Sequence, residues 1–267
     1  MYVIGDIGGQ YSELMELVDK LPDKKRKITL LGDLNDRGYH SKEVIQWAID
    51  NESRVTVLDS NHGEMFVDFY MSRIDPRHYK PRYDDDIFTY QNGLQNNGGR
   101  QTLMSYGYDF NDMDWHRFKT DETLAQHIKW LDDRFTHVKY ENTKGQKFIL
   151  THAPLNRRME LDKFFSRGRG FRMFDVDPIS RENHNWNRYE PDGFHPELDK
   201  YINVYGHNSM QHPKLICHQY KNGIYLSGTE HLQELMDANY GEVYAIGIDT
   251  SSGRYLTALD LDNFILY

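Results

Sequence analysis

Five short apolar runs punctuate the sequence, and each stops just before a polar residue able to do chemistry. Tyr2-Val3-Ile4 leads to Asp6, Ile28-Thr29-Leu30-Leu31 to Asp33, Val55-Thr56-Val57-Leu58 to Asn61, Phe148-Ile149-Leu150 to His152, and Ile202-Asn203-Val204-Tyr205 to His207. Runs this short, rich in β-branched residues and bounded by glycine or turn residues, read as buried strands. Between the first three lie helical patterns: Leu14, Leu17, Val18 and Leu21 share one face, as do Val44, Ile45, Ala48 and Ile49. The start of the chain is therefore βαβαβ. That alternation implies an α/β fold with a largely parallel sheet, whose ligands bind beyond the carboxyl ends of the strands.

The rest of the chain is organised differently. Residues 75–118 are rich in Tyr, Asp, Asn and Gly and read as a cap-like surface insertion with a short helix near Gln101 to Tyr106. A further helix is expected over Glu122 to Phe135, where Leu124, Ile128 and Leu131 fall on one face. Residues 156–196 form an irregular, arginine-rich loop. After residue 200 short strands dominate, at Ile224 to Leu226, Val243 to Ile248 and Tyr255 to Leu261, and a second sheet built mostly from this part would complete a sandwich. No period of 20 to 50 residues recurs. The 267 residues are expected to form one domain, 1–267.

Composition narrows the function. A formal net charge of -9, from 41 acidic and 32 basic residues, disfavours general binding to nucleic-acid backbones, which needs many Lys and Arg contacts. No apolar run approaches the roughly 20 residues of a membrane span, and the expected location is cytoplasmic. The lone cysteine, Cys217, excludes an intramolecular disulfide and a thiolate-rich metal site and reads as a packing residue.

The strand-end residues supply a mixed set of oxygen and nitrogen donors. Each alone is more readily a turn residue, but together they would meet at one sheet edge. Two divalent cations there can activate water for in-line attack on phosphorus. Carboxylate, amide and imidazole donors suit manganese, iron or zinc. The segment Gly32-Asp33-Leu34-Asn35-Asp36-Arg37-Gly38 is more specific: its five motif positions would arise by chance about once in ten thousand chains of this length, so accident is a poor account of it.

The order of motifs resembles that of the calcineurin-like metallophosphoesterases, and within them the phosphoprotein-phosphatase group that includes the phage-lambda type and the eukaryotic serine/threonine phosphatases. Gly5-Asp6-Ile7-Gly8-Gly9, Gly32 to Gly38, Ser60-Asn61-His62-Gly63-Glu64, Thr151-His152-Ala153 and Gly206-His207 stand in that order, followed by Ile248-Asp249-Thr250. The resemblance implies a two-sheet α/β/β/α sandwich with a dinuclear metal site at the strand ends. It implies that Asp33 bridges two divalent ions, with manganese placed first and iron and zinc as alternatives. Asp6 would serve the first ion, and Asn61, His152 and His207 the second. His62 would be the acid that protonates the leaving oxygen, oriented by Asp36. Arg37 would hold a phosphate oxygen, and Arg188, in Trp186-Asn187-Arg188, would be a second clamp. Asp249 reads as structural.

One position departs from the family. Gly8 stands where a first-metal histidine belongs, so the first ion is expected to bind more weakly than in a complete site. The implied activity is metal-dependent phosphoesterase action on phosphomonoesters, with phosphoserine or phosphothreonine of a protein ahead of small phosphoesters. Hydrolysis of a dinucleoside polyphosphate such as diadenosine tetraphosphate, or of another nucleotide, is the alternative. A catalytically weak phosphate- or nucleotide-binding protein is a further one.

Overall fold

The computed structural model describes residues 1–75, 96–155, 185, 187–188, 200–220, 222–238, 243–251 and 255–267. The chain opens with β1 (Tyr2–Ile4), α1 (Tyr11–Lys20), β2 (Ile28–Leu30), α2 (Ser41–Asp50), β3 (Val55–Val57) and α3 (Asn61–Ile74). These strands pair in parallel, with Ile4 level with Leu30 and Leu30 level with Val57. Their carboxyl ends therefore open on one edge, as the βαβαβ pattern requires. Strands β10 (Ala258–Asp260) and β11 (Ile265–Leu266) extend this sheet antiparallel, giving the order β11-β10-β1-β2-β3.

Burial explains how strands of three residues hold their register. Tyr2, Ile4, Ile28 and Leu30 pack among Leu14, Leu17, Val18, Val44, Ile45 and Ala48 of the helices. Val3, from the opposite pleat, packs with Leu31 and Leu58 against Phe148, Leu150, Val204 and Ile246 of the second sheet. Both faces are dry, and each fully buried aliphatic or aromatic side chain contributes about 1.5–3 kcal/mol. A one-residue slip would exchange the two faces.

The second sheet contains β4 (His137–Glu141), β5 (Lys147–Thr151), β6 (Ile202–Tyr205), β7 (Lys214–Cys217), β8 (Ile224–Tyr225) and β9 (Val243–Gly247), in the order β4-β5-β6-β9-β7-β8. Its centre is parallel: Thr151 is level with Tyr205, and Tyr205 with Gly247. Both sheets are thus mixed, and the two-sheet α/β architecture expected from the motifs is present. Cys217 is buried in the layer between the sheets, where it packs as a small apolar residue.

Three local expectations change. The stretch after β3 is a 14-residue helix, α3, started by Ser60, whose side chain accepts from the Gly63 N–H. The helix expected to reach Phe135 stops at Leu131 (α6, Glu122–Leu131), and β4 begins at His137. Two elements not anticipated, β7 and α7 (Thr229–Asp237), complete the C-terminal part. Of the cap-like span 75–118, residues 76–95 lie outside the described residues. Its later part holds α4 (Gly99–Ser105) and α5 (Trp115–Thr120), and its Leu103, Tyr106, Tyr108 and Phe118 are buried in the helix-side core. Most of the arginine-rich loop also lies outside the described residues. Among the described residues no helix is long and apolar enough to cross a membrane.

Candidate metal centre

The shared strand edge brings the predicted residues together. His152 follows β5 directly, and its Nδ1–H donates to the Leu31 carbonyl at 2.9 Å. That bond selects the ring tautomer and turns the Nε2 lone pair inward. Nε2 lies 2.7 Å from Asn61 Oδ1 and 3.4 Å from Asp33 Oδ1. His207 Nδ1 lies 3.1 Å from the same Asn61 oxygen. Ligand atoms of Asp33, His152 and His207 all fall within 4.8 Å of one another, and all three residues are buried. Burial lowers the pKa of both imidazoles, with further lowering of His207 by the His152 and Arg188 charges, to about 3. Both rings are therefore neutral donors at ordinary pH.

Asp33 sits between this cluster and the rest. Its backbone N–H donates to Ser60 Oγ at 2.9 Å, and its Oδ1 accepts from the His62 N–H at 3.2 Å. Burial alone would raise its pKa, but the charges of His62, His152, His207 and Arg37 overcome that and hold the carboxylate well below its ordinary value. His62 is placed by the first turn of α3. Its Nδ1 meets Asp36 Oδ2 at 2.6 Å, and its Nε2 lies 3.6 Å from Asp33 Oδ2 and 3.4 Å from Arg37 Nη2. Burial opposes its protonation, yet the Asp33 and Asp36 carboxylates raise its pKa. Asp36 Oδ1 accepts from Asn35 Nδ2 and Thr102 Oγ1 at 2.9 and 2.7 Å, so this wholly buried carboxylate is fully used.

Asp6 joins the site through His207 and feels the charge of Asp33. The His207 N–H donates to its Oδ1 at 2.9 Å, while Oδ2 is buried and has no hydrogen-bond partner among the described residues. Burial, then the nearby charges of Asp249 and Asp33, raise its pKa well above the ordinary value. Glycine is required at Gly206, because a Cβ there would collide with Asp6 Oδ1. Gly8 adopts a φ of +55°, and a Cβ there would meet nothing closer than Gln10 Nε2 at 3.6 Å. That position has room for a side chain but supplies none.

These observations fit divalent cations. The Asn61 oxygen and His152 Nε2 turn lone pairs toward each other, and Asp6 keeps a buried carboxylate oxygen without a donor. Both arrangements are costly without a cation to share them. Asp33, Asp36, Arg37 and His207 are also held at φ between +44° and +71°, in the left-handed region. Strain of that kind costs about 1–3 kcal/mol per residue and persists where the surroundings impose it.

Asp6, Asp33, Asp36, Arg37, Asn61, His62, His152 and His207 thus converge. Arg188 does not join them by a direct bond: it is exposed, with its carbonyl accepting from Asn208 Nδ2 at 3.3 Å, and its charge reaches His207. Trp186 lies outside the described residues. Sequence reasoning missed Thr102 and Asn35, the two partners of Asp36, because ordinary polar residues carry no mark of what they touch. Asp249, which reads as structural from the sequence, stands just past strand β9 and is wholly buried.

The calcineurin-like phosphoesterase family matches residues 1–239. Among curated relatives, the asymmetrical bis(5'-nucleosyl)-tetraphosphatase PrpE of Halalkalibacterium halodurans is 23% identical over 227 residues, which are 80% of each chain. A symmetrical bis(5'-nucleosyl)-tetraphosphatase of Methylobacillus flagellatus is 40% identical over 63 residues, 23% of each chain. Among solved structures, a protein serine/threonine phosphatase of Saccharomyces cerevisiae superposes with a TM-score of 0.52 at 13% identity, over 100% of this chain and 78% of that one. That last likeness is one of fold.

Proposed function

The chain belongs to the calcineurin-like phosphoesterase family and is a phosphoric ester hydrolase; from that premise we propose that it cleaves the phosphate chain of dinucleoside polyphosphates. One observation carries the catalytic reading: His62 is clamped by Asp36 at 2.6 Å and points its other nitrogen toward Asp33 and Arg37. An imidazole whose basicity is raised by a carboxylate, next to a metal-ligand oxygen and a guanidinium, is placed to give a proton to the oxygen leaving phosphorus.

In this reading Asp33 would help to hold two divalent ions, together with Asp6 for the first and with Asn61, His152 and His207 for the second. When bound, the ions would supply a nucleophile from water and neutralise charge on the phosphate. Asp36 orients His62 and is itself held by Asn35 and Thr102. Arg37, braced by Ser251 Oγ at 3.3 Å, offers a planar pair of donors to a phosphate oxygen. Arg188 lends positive charge at the rim.

The substrate reading reverses the order suggested by the motifs, in which a protein phosphomonoester came first. The reason is the matched length: the relative named as an asymmetrical tetraphosphatase aligns over 80% of this chain. The test compares manganese-supported turnover of diadenosine tetraphosphate, a phosphoserine peptide and a 5′-phosphorylated oligonucleotide. The expected result is a kcat/KM for diadenosine tetraphosphate at least tenfold above the other two, roughly a 1.4 kcal/mol preference. Faster phosphopeptide turnover would replace this substrate with the protein phosphomonoester. Failure to hydrolyse any of the three would return the chain to a phosphate-binding role.

A further inference from the structure

Strand β9 runs parallel to β6, with Gly247 level with Tyr205. Asp249 therefore leaves the sheet at the same edge as His207. The Ile248 N–H donates to the Tyr205 carbonyl at 2.9 Å, and the Asp249 carbonyl accepts from the Met210 N–H at 2.9 Å, so the backbone is fixed on both sides. It also abuts the end of β1: a Cβ on Gly5 would lie 2.5 Å from the Ile248 oxygen and 3.3 Å from Asp249 Cα. The loop carrying Asp6 and the loop carrying Asp249 are packed backbone to backbone.

The two carboxylates share an unusual state. Asp249 is wholly buried; its Oδ1 accepts from the Ser251 N–H and hydroxyl at 3.0 and 2.7 Å, while its buried Oδ2 has no hydrogen-bond partner among the described residues. Asp6 repeats the pattern, with Oδ1 held by the His207 N–H and Oδ2 bare. A turn-anchoring role for Asp249 accounts for Oδ1 and leaves Oδ2 unexplained. Two bare, buried carboxylate oxygens, on loops packed against each other and with the Asp249 charge felt at Asp6, call for a cation. Resting on the dinuclear reading above, we propose that Asp249 supplies, through Oδ2, the ligand to the first ion that Gly8 cannot.

The proposal is tested on the full chain with manganese alone, by calorimetric titration and by melting with and without the ion. Wild-type protein is expected to bind two ions. Asp249→Asn keeps the shape and an acceptor for Ser251, and it should lose the weaker ion by at least about tenfold while the tighter one is retained. Its metal-free Tm should equal or exceed that of wild type, because one buried like charge is gone, while its manganese-induced rise in Tm shrinks. Adding Gly8→His to Asp249→Asn should restore the second ion. Asp249→Asn that binds both ions with wild-type affinity, or that lowers the metal-free Tm with the manganese-induced rise unchanged, overturns the proposal and leaves the phosphoesterase reading standing. Wild-type protein that binds no manganese ends both. If Asp249→Asn fails to fold, Gly8→His alone decides: a few-fold gain in first-ion affinity, below about tenfold, fits a site already supplied by Asp249, and no gain or a larger one overturns it.

Discussion

Around Asn61, His152 and His207 the donors are neutral, whereas around Asp6 and Asp249 they are carboxylates, and the two sides of the same site are buried by different means. The neutral donors interlock: one amide oxygen sits within 3.1 Å of two imidazoles, and the remaining His152 nitrogen is spent on a backbone carbonyl. Between the Asn61 oxygen and His152 Nε2 two lone pairs face each other, a mismatch that costs less for neutral groups than for charged ones. Each of the carboxylates leaves one buried oxygen without a hydrogen-bond partner among the described residues. The lesson is that neutral and carboxylate donors place different electrostatic demands on the two parts of one buried site.

In the proposed reading Asp33 serves both sides, so Asp33→Asn should produce the largest effect. It is expected to lose both ions and at least about 10³-fold in kcat/KM, about 4 kcal/mol of transition-state stabilisation. Retention of one tight ion in that variant would show that the two sides do not share this carboxylate. His62→Ala should come next, with a loss of about 10²–10⁴ in kcat and near wild-type manganese affinity. A parallel loss of metal would make His62 part of the metal site instead of the acid beside it.

Melting of the metal-free protein against pH should separate the two sides by sign. The folded pKa of His207 is depressed to about 3. The stability it contributes is therefore complete above the ordinary histidine value and is lost as pH falls from about 6.5 toward 3. Asp6 is raised, so its contribution is complete below the ordinary carboxylate value and is lost as pH climbs through the raised one. His207→Asn should flatten the fall in stability below the ordinary histidine value and Asp6→Asn the fall above the ordinary carboxylate value, each by several degrees, at about 2–4 °C per kcal/mol. The same flattening from both variants would refute the division. The smallest effect is expected from Gly8→His alone, a few-fold gain in first-ion affinity and turnover. The added imidazole must offset a left-handed backbone, at a cost of about 1–2 kcal/mol. No change in either quantity would break the account of Gly8.

The site was legible to the extent that its residues sit at strand ends. Asp6, Asp33, Asn61, His152 and His207 each follow a run of buried apolar residues, and the parallel register places them at one edge. Asp249 also follows a buried strand but reads as structural from the sequence, because nothing local in Val243 to Ile248 says whether that strand runs parallel or antiparallel to its neighbour. Thr102 was invisible for a related reason. It lies on α4, sixty-six positions from the aspartate it serves, and a threonine in a helix has no spacing that names its partner. The helix α3 was missed although Ser60 and the apolar residues after it could have marked its start.

By itself, the sequence determined the chemistry on offer: two-faced buried strands from their apolar runs, a donor set of carboxylate, amide and imidazole, and a glycine without a side chain at position 8. These are properties of residue type and short spacing, which local sterics and hydrophobicity dictate. Only the tertiary structure decided which oxygens are satisfied, that Asp249 faces the same edge as Asp6, and that His62 is held between Asp36, Asp33 and Arg37. Those facts depend on strand direction and on contacts between distant segments, and both are set by how two sheets bury a common layer.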